Sequence, residues 1–403
     1  MHDLKSVANR DERNLGEQVK DWPGKLGFES TSLHLIKIGS LDRLLASGTD
    51  ALLAEAHKRD LFTGLSTGIV TGGECYLHTV GDGIDSDCHF EIGSTTKTFT
   101  SELLSALVDH GALSWQQPIV HYLPSDLRIH PRSYKKLSQI RLIDVATHCS
   151  GMPLLPPNLR ITDGANPYRD YSDEDLLQYL TDSSFTQSNI KGFNYSNVGF
   201  SVLGYIAGRA YGSNYADALI SEVINRLGLA NTGLALTGSQ LPALIPGYTK
   251  TGKPTPRWTQ LAFAPAGGLC TTAGDMLRWI RYLLARQDRT PLQRYSVSKS
   301  QSIGLGWMID PRSGFFERDG MTGGFCSYLS VHPQQQHGIV ILSNRQSLSF
   351  VRAFAKNIEH SLQGQPMFPL NGDYGRLRAQ MIEFIRSKQW AVNAVRTLRS
   401  YLR

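Results

Sequence analysis

"EIGSTTKTFTSELLSALVDHGALS", residues 91–114, sets Ser94 and Lys97 three positions apart just where an apolar stripe begins, with Phe99, Leu103 and Leu107 recurring at helical spacing. In a helix starting there, the two side chains share one face of the first turn. That turn has backbone N–H groups without intrahelical partners and the positive end of the helix dipole. Both favour a developing oxyanion and a lysine of lowered pKa. A serine at a helix start is also a common cap, so the pair reads either as a cap or as a nucleophile with its base. Ser-x-x-Lys recurs at Ser133/Lys136, Ser188/Lys191 and Ser296/Lys299, each in a polar connection without a following apolar stripe.

The rest of the chain bounds what such a serine could serve. With 403 residues, 41% hydrophobic and 19% charged, the composition is that of a soluble globular protein able to bury a large core. No apolar run approaches the roughly 20 residues that span a bilayer. The polar start "MHDLKSVANRDERNLGEQVKDWPGK" has no secretory core. The expected location is the cytoplasm, or the periplasm if the true start lies upstream. Five cysteines without a Cys-x-x-Cys pair indicate neither a disulfide framework nor zinc, and no His-Glu-x-x-His or glycine-rich phosphate loop is present. No metal and no cofactor is expected. From Arg376 to Arg403 seven basic residues face the single acid Glu383, so the tail carries the whole net charge of +6. The body is near neutral, which argues against a nucleic-acid partner. Leu377, Met381, Phe384, Val392, Val395, Leu398 and Leu402 give the tail an approximate helical stripe suited to a partner or a membrane surface.

Strand and helix signals divide the chain. Residues 1–44 read as an extension. "SLDRLLASGTDALLAEAHKRD" reads as a helix, and "LSTGIVTG" with "ECYLHTVG" as a hairpin around Gly72-Gly73. Residues 119–261 are rich in prolines and short helices such as "DEDLLQYLTD". Then "CTTAGDMLRWIRYLLARQ" opens with Thr272 three residues before Asp275, a cap-like start, and "IGLGWMID", "GFFERDGM", "CSYLSVHP" and "HGIVILSN" read as an antiparallel meander closed by the helix "SFVRAFAKNIEHSLQG". The expected organisation is one sheet subdomain built from 45–118 and 262–364, a mainly helical subdomain from 119–261 beside it, and a basic helical tail from 365–403. The Ser94 helix then starts at the junction of the two, where clefts form.

Two further stretches carry chemistry. "GFNYSNVGFSVLGYIAGRAYG" sets Tyr195 and Asn197 about Ser196; a buried tyrosine hydroxyl near a lysine can serve as a base, and an asparagine can donate to a substrate carbonyl while accepting from a lysine. Its plainer reading is a helix start capped by Asn194 or Ser196. "ERDGMTGGFCSYLSVHP" packs Gly320, Gly323 and Gly324 beside a strand, which implies a close backbone or ligand. "GLSTG", with Ser66 at its centre, fits Gly-x-Ser-x-Gly, but that elbow needs a helix next and a strand follows.

"IGSTTKTFT", "FNYSNVGFSVLG", "APAGGLCTTAGDMLRW" and "RDGMTGGFCSYLSVHP", in this order and joined by connectors such as "DVATHCSGMP", resemble the class C β-lactamase and penicillin-binding serine hydrolase superfamily over residues 45–362. The resemblance implies an α/β (α+β) fold of the β-lactamase/transpeptidase type, a central antiparallel sheet flanked by helices. It further implies Ser94 as the acylated nucleophile, Lys97 as its activator, Tyr195 as proton shuttle and Asn197 as holder of the substrate amide. The backbone N–H groups of Ser94 and Met321 would form the oxyanion hole, with Arg318, Asp319 and Gly320 lining the substrate. The family usually places Lys or His where this chain has Arg318. A guanidinium can grip a substrate carboxylate by two hydrogen bonds but cannot relay a proton, and Asp319 alongside would partly neutralise it. The implied activity is a serine hydrolase acting on an amide, peptide or ester, a small-molecule or peptide-like substrate; a cytoplasmic acyltransferase of the same fold and a catalytically retired peptide-binding protein are the alternatives.

Overall fold

The computed structural model describes Leu53 and residues 56–58, 60–182, 185, 192–234, 244–286, 295–296, 302–310 and 313–364. The N-terminal extension 1–44 and the basic tail 365–403 lie outside the described residues. Of the helix read before the first strand, only Leu53 and residues 56–58 are described, all helical.

In chain order the strands are β1 (Leu65–Thr71), β2 (Glu74–Val80), β3 (Phe90–Glu91), β4 (Gly247–Tyr248), β5 (Pro254–Thr255), β6 (Cys270–Thr271), β7 (Tyr295–Ser296), β8 (Ser302–Ile303), β9 (Met308–Ile309), β10 (Phe316–Met321), β11 (Cys326–His332) and β12 (His337–Ser343). Eight of them form one antiparallel sheet in the order β2-β1-β12-β11-β10-β9-β8-β7. Strands from early and late in the chain therefore meet within it, where β1, next to the edge strand β2, pairs with β12 in the register Ile69↔Ile339. Gly72 and Gly73, at φ 58° and 80°, supply the left-handed pair that a two-residue hairpin needs. The side-chain period of two puts Ile339 and Ile341 on one face and Val340 and Leu342 on the other, all fully buried, so both faces need cover.

Helices supply it. They are α1 (Thr96–Asp109), α2 (Pro131–Leu137), α3 (Leu142–Ala146), α4 (Asp173–Thr181), α5 (Asn197–Tyr211), α6 (Tyr215–Leu219), α7 (Ala264–Gly267), α8 (Ala273–Ala285) and α9 (Leu348–Leu362). On one face α9 sets Phe350, Phe354 and Ile358 against Ile69, Tyr328, Ile339 and Ile341. On the other, α8 brings Leu277, Trp279 and Ile280 to the side of Val340 and Leu342, and its Trp279 stacks on Phe99 of α1 at 4.3 Å. The Thr272 side chain accepts from the Asp275 N–H at 3.2 Å and caps α8. The same apolar core continues through α5 and the other helices of 119–261, so sheet and helical parts share it. Among the described residues no helix is long and apolar enough to cross a membrane.

Two readings change. "IGLGWMID" is not one strand: β8 and β9 flank a turn in which Gly306, at φ 72°, donates its N–H to the Ala146 carbonyl at 3.0 Å. A Cβ there would lie 2.9 Å from the Lys97 carbonyl, so the turn packs directly on the start of α1. Ser133 lies not in a connection but in α2, buried, its hydroxyl donating to the Asp182 carbonyl, while Lys136 Nζ donates to the Phe185 carbonyl at 2.7 Å. That Ser-x-x-Lys pair is used up in local packing. Ser188, Lys191 and Lys299 fall outside the described residues. Ser66 sits buried within β1, where no nucleophile elbow is possible.

Candidate active site

Ser94 does not cap. It occupies a single tight turn, Gly93–Thr95, ahead of α1, and no side-chain hydrogen bond closes either helix start. The turn holds its shape through Ile92, whose carbonyl accepts from the Thr95 N–H at 3.1 Å and the Ser327 hydroxyl at 2.7 Å. Gly93 is obligatory here: its φ is 48° and a Cβ would stand 2.6 Å from the Met321 nitrogen. Across the gap a Cβ on Gly320 would stand 1.9 Å from the Ile92 carbonyl oxygen and 2.8 Å from the Ser94 nitrogen. Two glycines thus let β10 lie against the turn, with Ser94 and Met321 on either side of the approach. Gly320 makes this packing possible.

Lys97, one turn into α1, is completely buried. Its Nζ donates to Asn197 Oδ1 at 2.9 Å and to the Ala266 carbonyl at 2.6 Å, and lies 3.2 Å from Ser94 Oγ. Burial, and then the nearby Arg318 guanidinium, hold the amine well below the usual lysine range. Asn197 opens α5, which is capped by the Ser196 hydroxyl accepting from the Gly199 N–H at 2.8 Å. The preceding Tyr195 is buried, and its hydroxyl donates to Ser94 Oγ at 2.8 Å. Lys97 Nζ sits 5.0 Å from the Tyr195 ring centre. Sequence had offered no sign of the Ala266 carbonyl, since a backbone acceptor carries no residue signature.

Arg318 and Asp319 point to opposite sides of β10. Arg318 is only 2% exposed and faces the nucleophile turn. Its Nε donates to the Ser94 carbonyl at 3.0 Å and its Nη2 to the Tyr195 hydroxyl at 2.5 Å. The guanidinium thus ties the tyrosine to the nucleophile turn. Asp319, one residue on, faces the opposite side of the strand and pairs with Arg352 of α9. Its carboxylate neither lines the site nor neutralises Arg318. Glu317 on that same side meets Lys356, which also pairs with Asp310 and Glu359, so an ammonium stands among these three carboxylates.

The site is therefore a one-way series of hydrogen bonds: Arg318 to Tyr195, Tyr195 to Ser94 Oγ, with Lys97 on the far side of the same oxygen. Two cationic side chains share one dry region. A guanidinium keeps its proton at any ordinary pH, so the burden of neutrality falls on the lysine. Asn197 Oδ1 and the Ala266 carbonyl take two positions of the amine. The third faces Ser94 Oγ, where the amine serves as base once it has given up a proton.

Comparison with known proteins follows the same lines. The Beta-lactamase family profile matches residues 49–361. The D-alanyl-D-alanine-carboxypeptidase/endopeptidase AmpH of Escherichia coli (strain K12) is 26% identical over 291 residues, covering 65% of this chain and 72% of that protein. A beta-lactamase of Pseudomonas fluorescens is 24% identical over 347 residues, covering 73% and 92%. Among solved structures, the class C beta lactamase from Rhodobacter sphaeroides superposes with a TM-score of 0.66 at 23% identity, covering 78% of this chain and 98% of that one. Its mixed fold with a central antiparallel sheet is the fold seen here.

Proposed function

The chain belongs to the beta-lactamase family, and on that premise we propose that it is a serine hydrolase forming an acyl-enzyme on Ser94 from an ester, amide or peptide substrate. The observation that carries this reading is Ser94 Oγ, 2.8 Å from the Tyr195 hydroxyl that donates to it and 3.2 Å from a buried Lys97 amine. In the first step Ser94 Oγ bonds to the substrate carbonyl carbon and its proton passes to the Lys97 lone pair. The carbonyl oxygen becomes an oxyanion that the Ser94 and Met321 N–H groups receive. Tyr195 gives its proton to the departing oxygen or nitrogen as that bond breaks, and the phenolate stands against Arg318 until the Lys97 proton replaces the one lost. Asn197, already accepting from Lys97, offers its amide N–H to the substrate carbonyl side. Water then attacks the ester carbon, gives its proton to the same groups, and Ser94 leaves with one.

Because Arg318 is engaged internally, the reading does not require a substrate carboxylate, and neutral esters are suitable probes. Wild-type protein mixed with p-nitrophenyl acetate is expected to turn over the ester, and Ser94→Ala to lose that turnover entirely. Undiminished turnover in Ser94→Ala would overturn the assignment of the nucleophile.

A further inference from the structure

"DVATHCSGMP" contains a residue that the chemistry so far leaves unused. Helix α3 ends at Ala146, and the His148 N–H bonds to the Val145 carbonyl at 3.0 Å while the Cys149 N–H bonds to the Asp144 carbonyl at 2.7 Å. This closure sets His148 at φ 57°, the left-handed position that glycine ordinarily fills. Histidine is one of the few side chains that tolerate this position, and here it does more than close the turn. Its side chain is fully buried and lies against the ring of Tyr195, with ring centres 4.5 Å apart.

More than ring contact joins them. The His148 carbonyl accepts from the Asn194 N–H at 2.7 Å, and its Nδ1 accepts from the Ser196 N–H at 3.2 Å. One residue thus grips the backbone on both sides of Tyr195 and packs on its ring. With Nδ1 accepting, the proton of the neutral ring is on Nε2, which has no hydrogen-bond partner among the described residues. Burial first, then the Arg318 guanidinium, hold this imidazole well below the ordinary histidine range. Protonation would turn Nδ1 into a donor facing the Ser196 N–H and release one side of the grip.

We propose that His148 is a positioning residue for Tyr195, holding its hydroxyl on Ser94 by a backbone clamp that works only while the imidazole is the neutral, Nε2-protonated tautomer. The inference rests on the reading of Ser94 and Tyr195 as catalytic groups. It explains why a left-handed turn carries an imidazole whose N–H is unmatched: the shape of the ring and its acceptor nitrogen are both used.

The test compares His148→Leu, His148→Gly and His148→Asn by kcat and KM for p-nitrophenyl acetate, with Ser94→Ala alongside. Leu removes the acceptor at similar bulk, and Gly removes the ring while suiting the backbone. Both should lower kcat by about a hundredfold, the cost of misplacing a reacting group by about 1 Å, with KM nearly unchanged. Asparagine tolerates the left-handed backbone and puts Oδ1 where Nδ1 was, so it should recover much of kcat. Wild-type kcat in Leu and Gly, or an Asn variant no better than Leu, would overturn the proposal. Turnover surviving in Ser94→Ala would instead remove the nucleophile, a separate failure. On the unmutated protein, 15N spectra of labelled histidine should show His148 as the Nε2–H tautomer across about pH 6 to 8, where free histidine titrates. A protonated ring or the Nδ1–H tautomer in that range would equally overturn it.

Discussion

Gly320→Ala places one methyl group at the closest point between β10 and the nucleophile turn. The new Cβ would stand 1.9 Å from the Ile92 oxygen, against an ordinary carbon–oxygen approach of about 3.3 Å, so roughly 1.4 Å must be found. The turn cannot give easily, since that same oxygen is held by Thr95 and Ser327. The strand cannot either: Gly320 is in register with Ser327 of β11, and the flanking Arg318 and Asp319 are tied to Tyr195 and Arg352. Whichever side moves, Ser94 and the Met321 N–H separate. Losing one such donor costs about a hundred- to a thousandfold in kcat, and overpacking costs about 1–3 kcal/mol of stability. Steady-state kinetics on p-nitrophenyl acetate, with Tm measured in parallel, reads both. Gly274→Ala is the control, because its Cβ would meet nothing nearer than Thr272 Oγ1 at 3.7 Å. That variant should keep full activity and gain about 0.4–1 kcal/mol. Wild-type kcat in Gly320→Ala would refute the claim that this contact shapes the site.

Arg318→Ala should lower kcat by about a hundredfold for neutral and acidic esters alike, as expected for a lost electrostatic partner in the transition state; a KM increase confined to acidic esters would restore the carboxylate clamp. The kcat/KM profile should fall as pH drops through the depressed Lys97 value, because protonation removes the lone pair that faces Ser94; a profile flat down to the acid denaturation limit would contradict this. The same burial makes stability pH-dependent: below the ordinary lysine value of 10.5 the unfolded chain binds a proton that the folded one does not, so folded stability declines as pH falls from there towards the depressed value. Lys97→Met should therefore be inactive, with a stability advantage over wild type that grows from pH 10 to pH 7 by about this linkage, read by urea unfolding. Asp319→Asn should lower Tm while leaving the KM ratio of acidic to neutral esters unchanged, since its partner is Arg352.

What the sequence could tell depended on how local each signal was. Ser94 with Lys97, and Tyr195 with Asn197, are short-range patterns at helix starts, and the family resemblance, not the residue types alone, implied that the two would come together. The alternation of Arg318 and Asp319 was equally visible, but period two says only that they face opposite sides. Which side met the nucleophile turn depended on β10 lying against Gly93, a contact between residues more than two hundred positions apart. "IGLGWMID" looked like a strand because its apolar residues are dense, whereas Gly306 breaks it by adopting a positive φ. His148 gave a faint signal: a histidine two residues after a short helix, where glycine would ordinarily close the turn. Its partners, Asn194 and Ser196, lie some fifty residues away and could not be read from the stretch itself. Ser94's failure to cap was likewise a matter of three-dimensional detail, because the turn before α1 closes through backbone groups.

The most direct test of the account is a mass spectrum of the protein after incubation with a fluorophosphonate, followed by peptide mapping. The account predicts one adduct, on the peptide carrying Ser94, absent in Ser94→Ala and slowed in Tyr195→Phe. An unmodified protein, or an adduct on any other serine, would contradict it.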